Sequence, residues 1–434
     1  MIYLFILSYI ILHCVAYNKK CRCGLHQQYQ LSVLLITVSY LYLIANALML
    51  NYDDSLLLYH YTILIFIFFI VLLITIRSNI FRGYTKSNKI LNKLDIILNE
   101  LTGDRRLVLL YIILYLVSFF TVRWVSYEES IQYRLVTTGF EQVLWQIPKL
   151  LCFSAAQYLL IMSIIRARLY FYLPIIFSIS IFMTLYGDRS AIIVSFFSIY
   201  YSLYRLQGIK IKIRYLIVAA LMSAVLIITV GHSRGGITFL ENLDSFWSIL
   251  FDFDVKKYNI LGIGEFYFPA HSIISSIEEL PTDIFLMSKE LSIFIPKIFW
   301  SDRPLPASES YMNILYNDLF MTGHGYGFSN IAFGYWWGGY FGLIVYAFLC
   351  GCFFKLINNI ILEYKVLGCF VFITFFFNIF QFARGVSVVG LIKNAIVLQM
   401  IPVFINIIII YLMITKVKVI FSRISSRDFN GVRK

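Results

Sequence analysis

Charge is scarce in this sequence: Asp, Glu, Lys and Arg make up 14% of its 434 residues, against about 25% in a soluble domain. Acidic residues are the rarer kind, 23 against 36 Lys and Arg. Only seven cysteines occur, and on the topology drawn below none lies in an outward loop. Cys14, Cys152, Cys350, Cys352 and Cys369 sit in apolar runs, while Cys21 and Cys23 flank Arg22 in a basic loop. A disulfide framework is therefore excluded, and Cys21-Arg22-Cys23 is too short and isolated for a zinc site. There is no HExxH, Walker loop or GxGxxG, which removes the commonest metal and nucleotide signatures. No internal repeat of the kind built into many secondary transporters is visible.

What the chain does have is apolar length. Hydrophobic residues are 60% of the whole, and the mean hydropathy is +0.80. Runs of about 16–24 apolar residues recur, the length a helix needs to cross a hydrocarbon layer of about 30 Å. In water such a chain would expose far too much apolar surface. The expected fold is an all-α polytopic membrane protein.

Alternating the gaps between runs across the membrane puts 24 of the 36 Lys and Arg, but only 5 of the 23 Asp and Glu, on one side. That is the positive-inside bias, so the +13 net charge reports topology and not a nucleic-acid partner. Eleven spans result, with the N-terminus outside and the C-terminus inside. They cover roughly 2–17, 31–50, 58–76, 107–122, 143–165, 169–186, 191–206, 215–230, 328–354, 366–382 and 391–414. Lys19, Lys20 and Arg22 follow the first run instead of preceding it, so it reads as a retained helix and not a cleaved leader. Between the third and fourth spans, Ile90, Leu94, Ile97, Leu98 and Leu101 recur at helical spacing among basic residues. This predicts an amphipathic helix on the inner leaflet. The organisation is thus residues 1–230 with eight spans, a large outer loop 231–327, three spans over 328–414, and a basic inner tail 415–434.

The outer loop holds three of the six histidines, His232, His271 and His324, and the isolated Arg234 and Arg303. Arg234 lies in Gly231-His232-Ser233-Arg234-Gly235-Gly236, where glycines let backbone approach a ligand closely. Arg189 opens a span from the corner Gly187-Asp188-Arg189-Ser190, where helix-start amides already favour an anion and a guanidinium adds a planar fork for phosphate oxygens. Each arginine could equally snorkel to lipid headgroups. A lone histidine is more often a hydrogen-bonded structural group than a base. Trp300, Asp302 and Tyr326 sit beside these groups in the manner of aromatic and polar residues that grip sugar rings.

Two stretches carry a resemblance. Ile295-Pro296-Lys297-Ile298-Phe299-Trp300-Ser301-Asp302-Arg303-Pro304 is followed, about 20 residues on, by Gly323-His324-Gly325-Tyr326-Gly327-Phe328-Ser329-Asn330 entering a helix. With the upstream Gly187-Asp188-Arg189-Ser190 and the late outer loop, the chain resembles the Wzy-type oligosaccharide repeat-unit polymerases of bacterial surface polysaccharide. Members often carry an acidic residue in the helix after this element, where this chain has Gly334-Tyr335.

The resemblance implies a multi-pass protein of the bacterial cytoplasmic membrane. Its substrates would be an undecaprenyl-pyrophosphate-linked glycan donor and a lipid-linked acceptor, with membrane lipids and a chain-length regulator protein as further partners. It implies no cofactor and no metal. In these terms Arg189, Arg234 and Arg303 contact pyrophosphate, His324 or His271 is the general base, and Trp300, Asp302 and Tyr326 touch glycan or lipid. Two other readings share the layout: a ligase moving finished glycan onto a lipid acceptor, and a lipid-glycan flippase. A transporter should carry charges within its spans and keep its loops short, which this chain does not.

Overall fold

The computed structural model describes residues 55–78, 88–103, 105–121, 263–295, 299–321, 327–383 and 385–394, together with Leu159. Among these residues the regular elements are helices, with no strand. Two of the described helices are long and apolar enough to cross a membrane. The first, second and fifth to eighth expected spans lie outside the described residues, apart from Leu159 in the fifth. So do most of the eleventh and the basic tail.

Helix α1 (Ser55–Arg77) is apolar on every side. It buries Leu57, Tyr61, Leu64, Phe68, Leu72 and Ile76 at helical spacing and exposes Leu56, Tyr59 and Ile74 on the other faces. Helix α2 (Lys89–Gly103) is the amphipathic segment anticipated between the third and fourth apolar runs, and α3 (Arg105–Thr121) covers the run expected as the fourth span. Leu98 of α2 is buried, and Asp95 Oδ1 accepts from the amides of Val366 and Leu367 at 3.0 and 2.8 Å. Asp95 thereby caps the start of α9 (Val366–Ala383), satisfying orphan donors that a helix start leaves open.

The expected ninth span, a continuous helix over 328–354, is corrected by the structure. Helix α8 (Asn330–Glu363) is broken at Gly338 and Gly339, the latter at φ +60. Residues 330–337 fold back antiparallel on residues 340–363. The pairings show the register: Asn330 meets Tyr346, the Phe333 and Tyr346 rings lie 4.6 Å apart, and a Cβ on Gly334 would sit 3.0 Å from Leu343 Cα. Gly342 faces the Gly334 carbonyl so closely that any side chain there would collide with backbone. The glycines expected to let helices approach do so, but between the two arms of one hairpin. The long arm packs against α1 and α9. Gly351 admits Thr75 of α1, whose Cβ would lie 2.6 Å from an added Cβ.

The described part of the expected loop 231–327 packs into the core. Its helix α4 (Ile263–Glu278) packs against α8 and α1, burying Ala270, Ile273 and Ile274 in the same core. Short helices α5 (Leu286–Leu291), α6 (Ala307–Leu315) and α7 (Asn317–Met321) follow, with a 3-10 turn over Ser292–Phe294.

Candidate functional site

The polar groups of the loop and of the late helices meet around Tyr346. Tyr346 lies 18 positions before Tyr364 at the far end of α8, about 27 Å along the axis, close to the thickness of a hydrocarbon layer. Its hydroxyl donates to Asn330 Oδ1 at 2.6 Å and accepts from Val388 N at 3.1 Å. Asn330 Nδ2 donates to the carbonyls of Phe382 and Val386 at 2.8 and 3.1 Å. These bonds tie the hairpin to the turn between α9 and α10 (Val388–Ile392). Gly385 makes that turn at φ +103, pressed so closely on the Phe328 carbonyl that a Cβ would overlap it.

Glu290 of α5 reaches this turn from the loop. It is 5% exposed. Its Oε2 accepts from Ala307 N, the first amide of α6, at 2.9 Å, and its Oε1 accepts a short hydrogen bond from the Ser387 hydroxyl. Ser387 also caps α10, accepting from Gly390 N at 3.0 Å. One carboxylate therefore sits at the starts of two helices, where amides and aligned dipoles favour an anion. Burial nonetheless pushes its carboxyl above the usual range. The bonds from Ser387 and Ala307 oppose the rise, Glu309 adds to it, and Lys393 opposes it. Glu290, Glu309, Arg303 and Lys393 form one electrostatically coupled group joining the loop to the beginning of the last apolar run.

Arg303 is held by its own segment. Nη1 donates to the carbonyls of Ile293 and Ile295 at 3.2 and 3.0 Å, closing the 3-10 turn, while its buried Nε has no hydrogen-bond partner among the described residues. Trp300 and Asp302 are exposed on the bend before it.

His271 occupies a second polar pocket. Its Nδ1 is shared by Ser275 Oγ at 3.1 Å, one turn on, and Tyr316 OH at 3.3 Å. Tyr311 packs against Tyr316 and Phe328 with ring centroids 5.8 and 4.9 Å away. Burial holds the imidazole below the usual histidine range, against the pull of Glu279 and Glu278, so it is a neutral proton acceptor at pH 7. The neighbouring Ser272 hydroxyl accepts from Ser329 N at 2.8 Å, which seats the cap of the 330–337 arm on α4.

Of the sequence-predicted residues, His271, Arg303, Trp300 and Asp302 are described. Arg189, Arg234, His324 and Tyr326 lie outside the described residues. The His271 pocket is lined by Tyr311 of α6 and the Arg303 group includes Glu309 of the same helix. Two residues apart on a helix is about 200° of rotation, so the two pockets flank opposite faces of α6. Sequence reasoning missed Glu290, Ser387, Asn330 and Tyr346, whose roles depend on long-range pairing. Lys393 did carry a signal: a single charge at the head of an apolar run marks a functional position by default. Compared with protein-family models, curated proteins and solved structures, the chain matches none.

Proposed function

We propose that this protein is a glycosyltransferase polymerising undecaprenyl-pyrophosphate-linked oligosaccharide repeat units into surface polysaccharide at the outer face of the bacterial cytoplasmic membrane. The observation that carries this reading is the meeting of the two stretches on which the resemblance rests. Arg303 belongs to the first, Asn330 heads the helix of the second, and Glu290, five residues before the first stretch, is joined through Ser387 to the turn whose Val388 amide bonds the Tyr346 that holds Asn330.

In the reaction, an acceptor sugar hydroxyl attacks the anomeric carbon of the donor glycan. A new glycosidic C–O bond forms and the C–O bond to lipid pyrophosphate breaks. The leaving group is a polyanion held at the membrane, so preorganised cations supply the main stabilisation. Arg189, Arg234 and Arg303 fill that role, and His324 or His271 takes the acceptor proton. Neither a nucleotide nor a metal takes part. Trp300, Asp302 and Tyr326 contact glycan or lipid.

Arg234→Ala and Arg303→Ala should each leave protein in the membrane and surface glycan capped by a single repeat unit. Wild-type chain lengths in both variants would overturn the pyrophosphate assignment. A deletion strain with no lipid-attached glycan at all would point to the ligase reaction. Chelator-treated protein should polymerise normally; full loss restored by a divalent ion would reject the metal-free step.

A further inference from the structure

The outer loop carries an apolar surface that the described residues leave uncovered. Ile284, Phe285, Leu291, Phe294, Phe299 and Trp300 are each 40% exposed or more, and Phe299 reaches 82%. With Ile295 also exposed, so many large apolar side chains facing water in one short loop stretch would be a liability for aggregation. The inward side of the same stretch is well packed, with Leu286, Glu290 and Ile293 buried. The segment is thus two-faced and does not lack structure.

Its position relative to the long arm of α8 identifies what covers it. Asp283 N donates to the Trp336 carbonyl at 2.9 Å, and the indole of Trp337 donates to the Ile284 carbonyl at 3.1 Å. The loop surface is thereby fastened to the tip of the hairpin. From that tip the exposed side chains Phe341, Ile344 and Phe348 run down residues 340–363 at spacings of three and four. They form one apolar stripe on a helix long enough to cross a bilayer. Tyr340 lies 23 positions from Glu363, about 35 Å along the axis, past a hydrocarbon layer of about 30 Å and within the headgroup zone. The loop surface continues the stripe at the depth where tryptophan and tyrosine gather in membrane proteins.

We infer that residues 284–295 and 299–300 form an interfacial element that lies in the outer leaflet, with Phe285, Leu291, Phe294 and Phe299 among lipid acyl chains. It is a docking surface for this protein's own membrane, not for another polypeptide. Trp300 marks its headgroup edge, with exposed Ser301 and Asp302 on the aqueous side. The element fixes the height of the loop, and Arg303, bonded to the Ile293 and Ile295 carbonyls, is carried at the level of lipid phosphates. The inference concerns lipid contact and holds whichever reaction the protein performs.

The test is photo-crosslinking of the full-length protein in native membranes. The photoreactive p-benzoylphenylalanine replaces Phe285 or Phe299, with Phe341 as the lipid-facing control and exposed Asn313 as the aqueous control. Mass spectrometry should find phospholipid adducts at 285 and 299 within about threefold of the yield at 341 and about tenfold above that at 313. Adducts with a second copy of the chain or with another protein would overturn the inference. So would lipid yields equal to those at 313. Substitution at such exposed positions leaves the core intact, and correct folding is checked by the lipid adduct at 341. Polysaccharide chain length, measured on the same cells, reports the proposed reaction separately.

Discussion

Glu290→Ala should destabilise the protein through two groups that the structure leaves without an alternative partner. Ala307 N, the first amide of α6, loses the Oε2 acceptor at 2.9 Å, and the Ser387 hydroxyl loses Oε1. Ala307 is 2% and Ser387 6% exposed, so water does not readily replace either bond. An orphaned buried polar group costs about 1–3 kcal/mol, and relief of the buried carboxylate offsets part of the total. The net expectation is about 3 kcal/mol. With an unfolding entropy of about 2.1 cal/mol/K per residue over 434 residues, that is a fall of about 3 °C in the melting midpoint. Tryptophan fluorescence of detergent-purified protein measures it.

The pH dependence supplies an independent arm. Because the folded-state pKa is raised, the folded protein holds this proton more tightly than the unfolded chain. Stability from Glu290 is therefore greatest at low pH. It falls as pH rises from the ordinary carboxylate value of about 4.3 through the raised value. Glu290→Gln lacks this ionisation, so the midpoint of the wild type should improve relative to Glu290→Gln as pH is lowered from 7 toward 4. A Glu290→Ala midpoint unchanged from wild type, or parallel pH curves for wild type and Glu290→Gln, would refute the reasoning.

Other outcomes follow from single positions. Gly385→Ala should abolish recovery of folded protein in size-exclusion profiles, because its φ is +103 and a Cβ would overlap the Phe328 backbone. Gly338→Ala, with open space around it and an extended φ of −168, should be recovered near wild-type levels, and Gly339→Ala, at φ +60, should melt lower by about 1 kcal/mol of strain. Asp95→Ala removes the cap on α9 and should cost about 1 kcal/mol in thermal unfolding, with Asp95→Asn retaining most of it because the amide oxygen still accepts. If His271 is the base, its lowered pKa keeps it neutral below the ordinary value of about 6.5. The acid limb of kcat/KM for polymerisation should then fall below that pH and vanish in His271→Gln. A limb above it that survives the substitution assigns the proton to His324.

Much of the frame was legible in the order of residues, because a lipid environment makes each helix satisfy its own backbone bonds and therefore writes it as one apolar run. The helices over the third, fourth and tenth apolar runs lie within a few residues of their expected limits, and the amphipathic helix around Ile90–Leu98 lies where its 3.6-residue period put it. The site was legible only in part. Arg303 and His271 stood out as isolated charged or titratable groups in a chain poor in them, and each lies in a polar pocket.

Tertiary structure alone decided the rest. The Gly338-Gly339 reversal was hidden because both arms of the hairpin are apolar, so the run looks continuous while the backbone turns through a left-handed residue. Glu290 was one acidic residue among many in the loop until folding brought it to Ser387, 97 positions away. The pairing of Asn330 with Tyr346 required the hairpin first. Periodicity reports what each segment buries; which segments bury against one another depends on shape and hydrogen-bond partners distant in the chain.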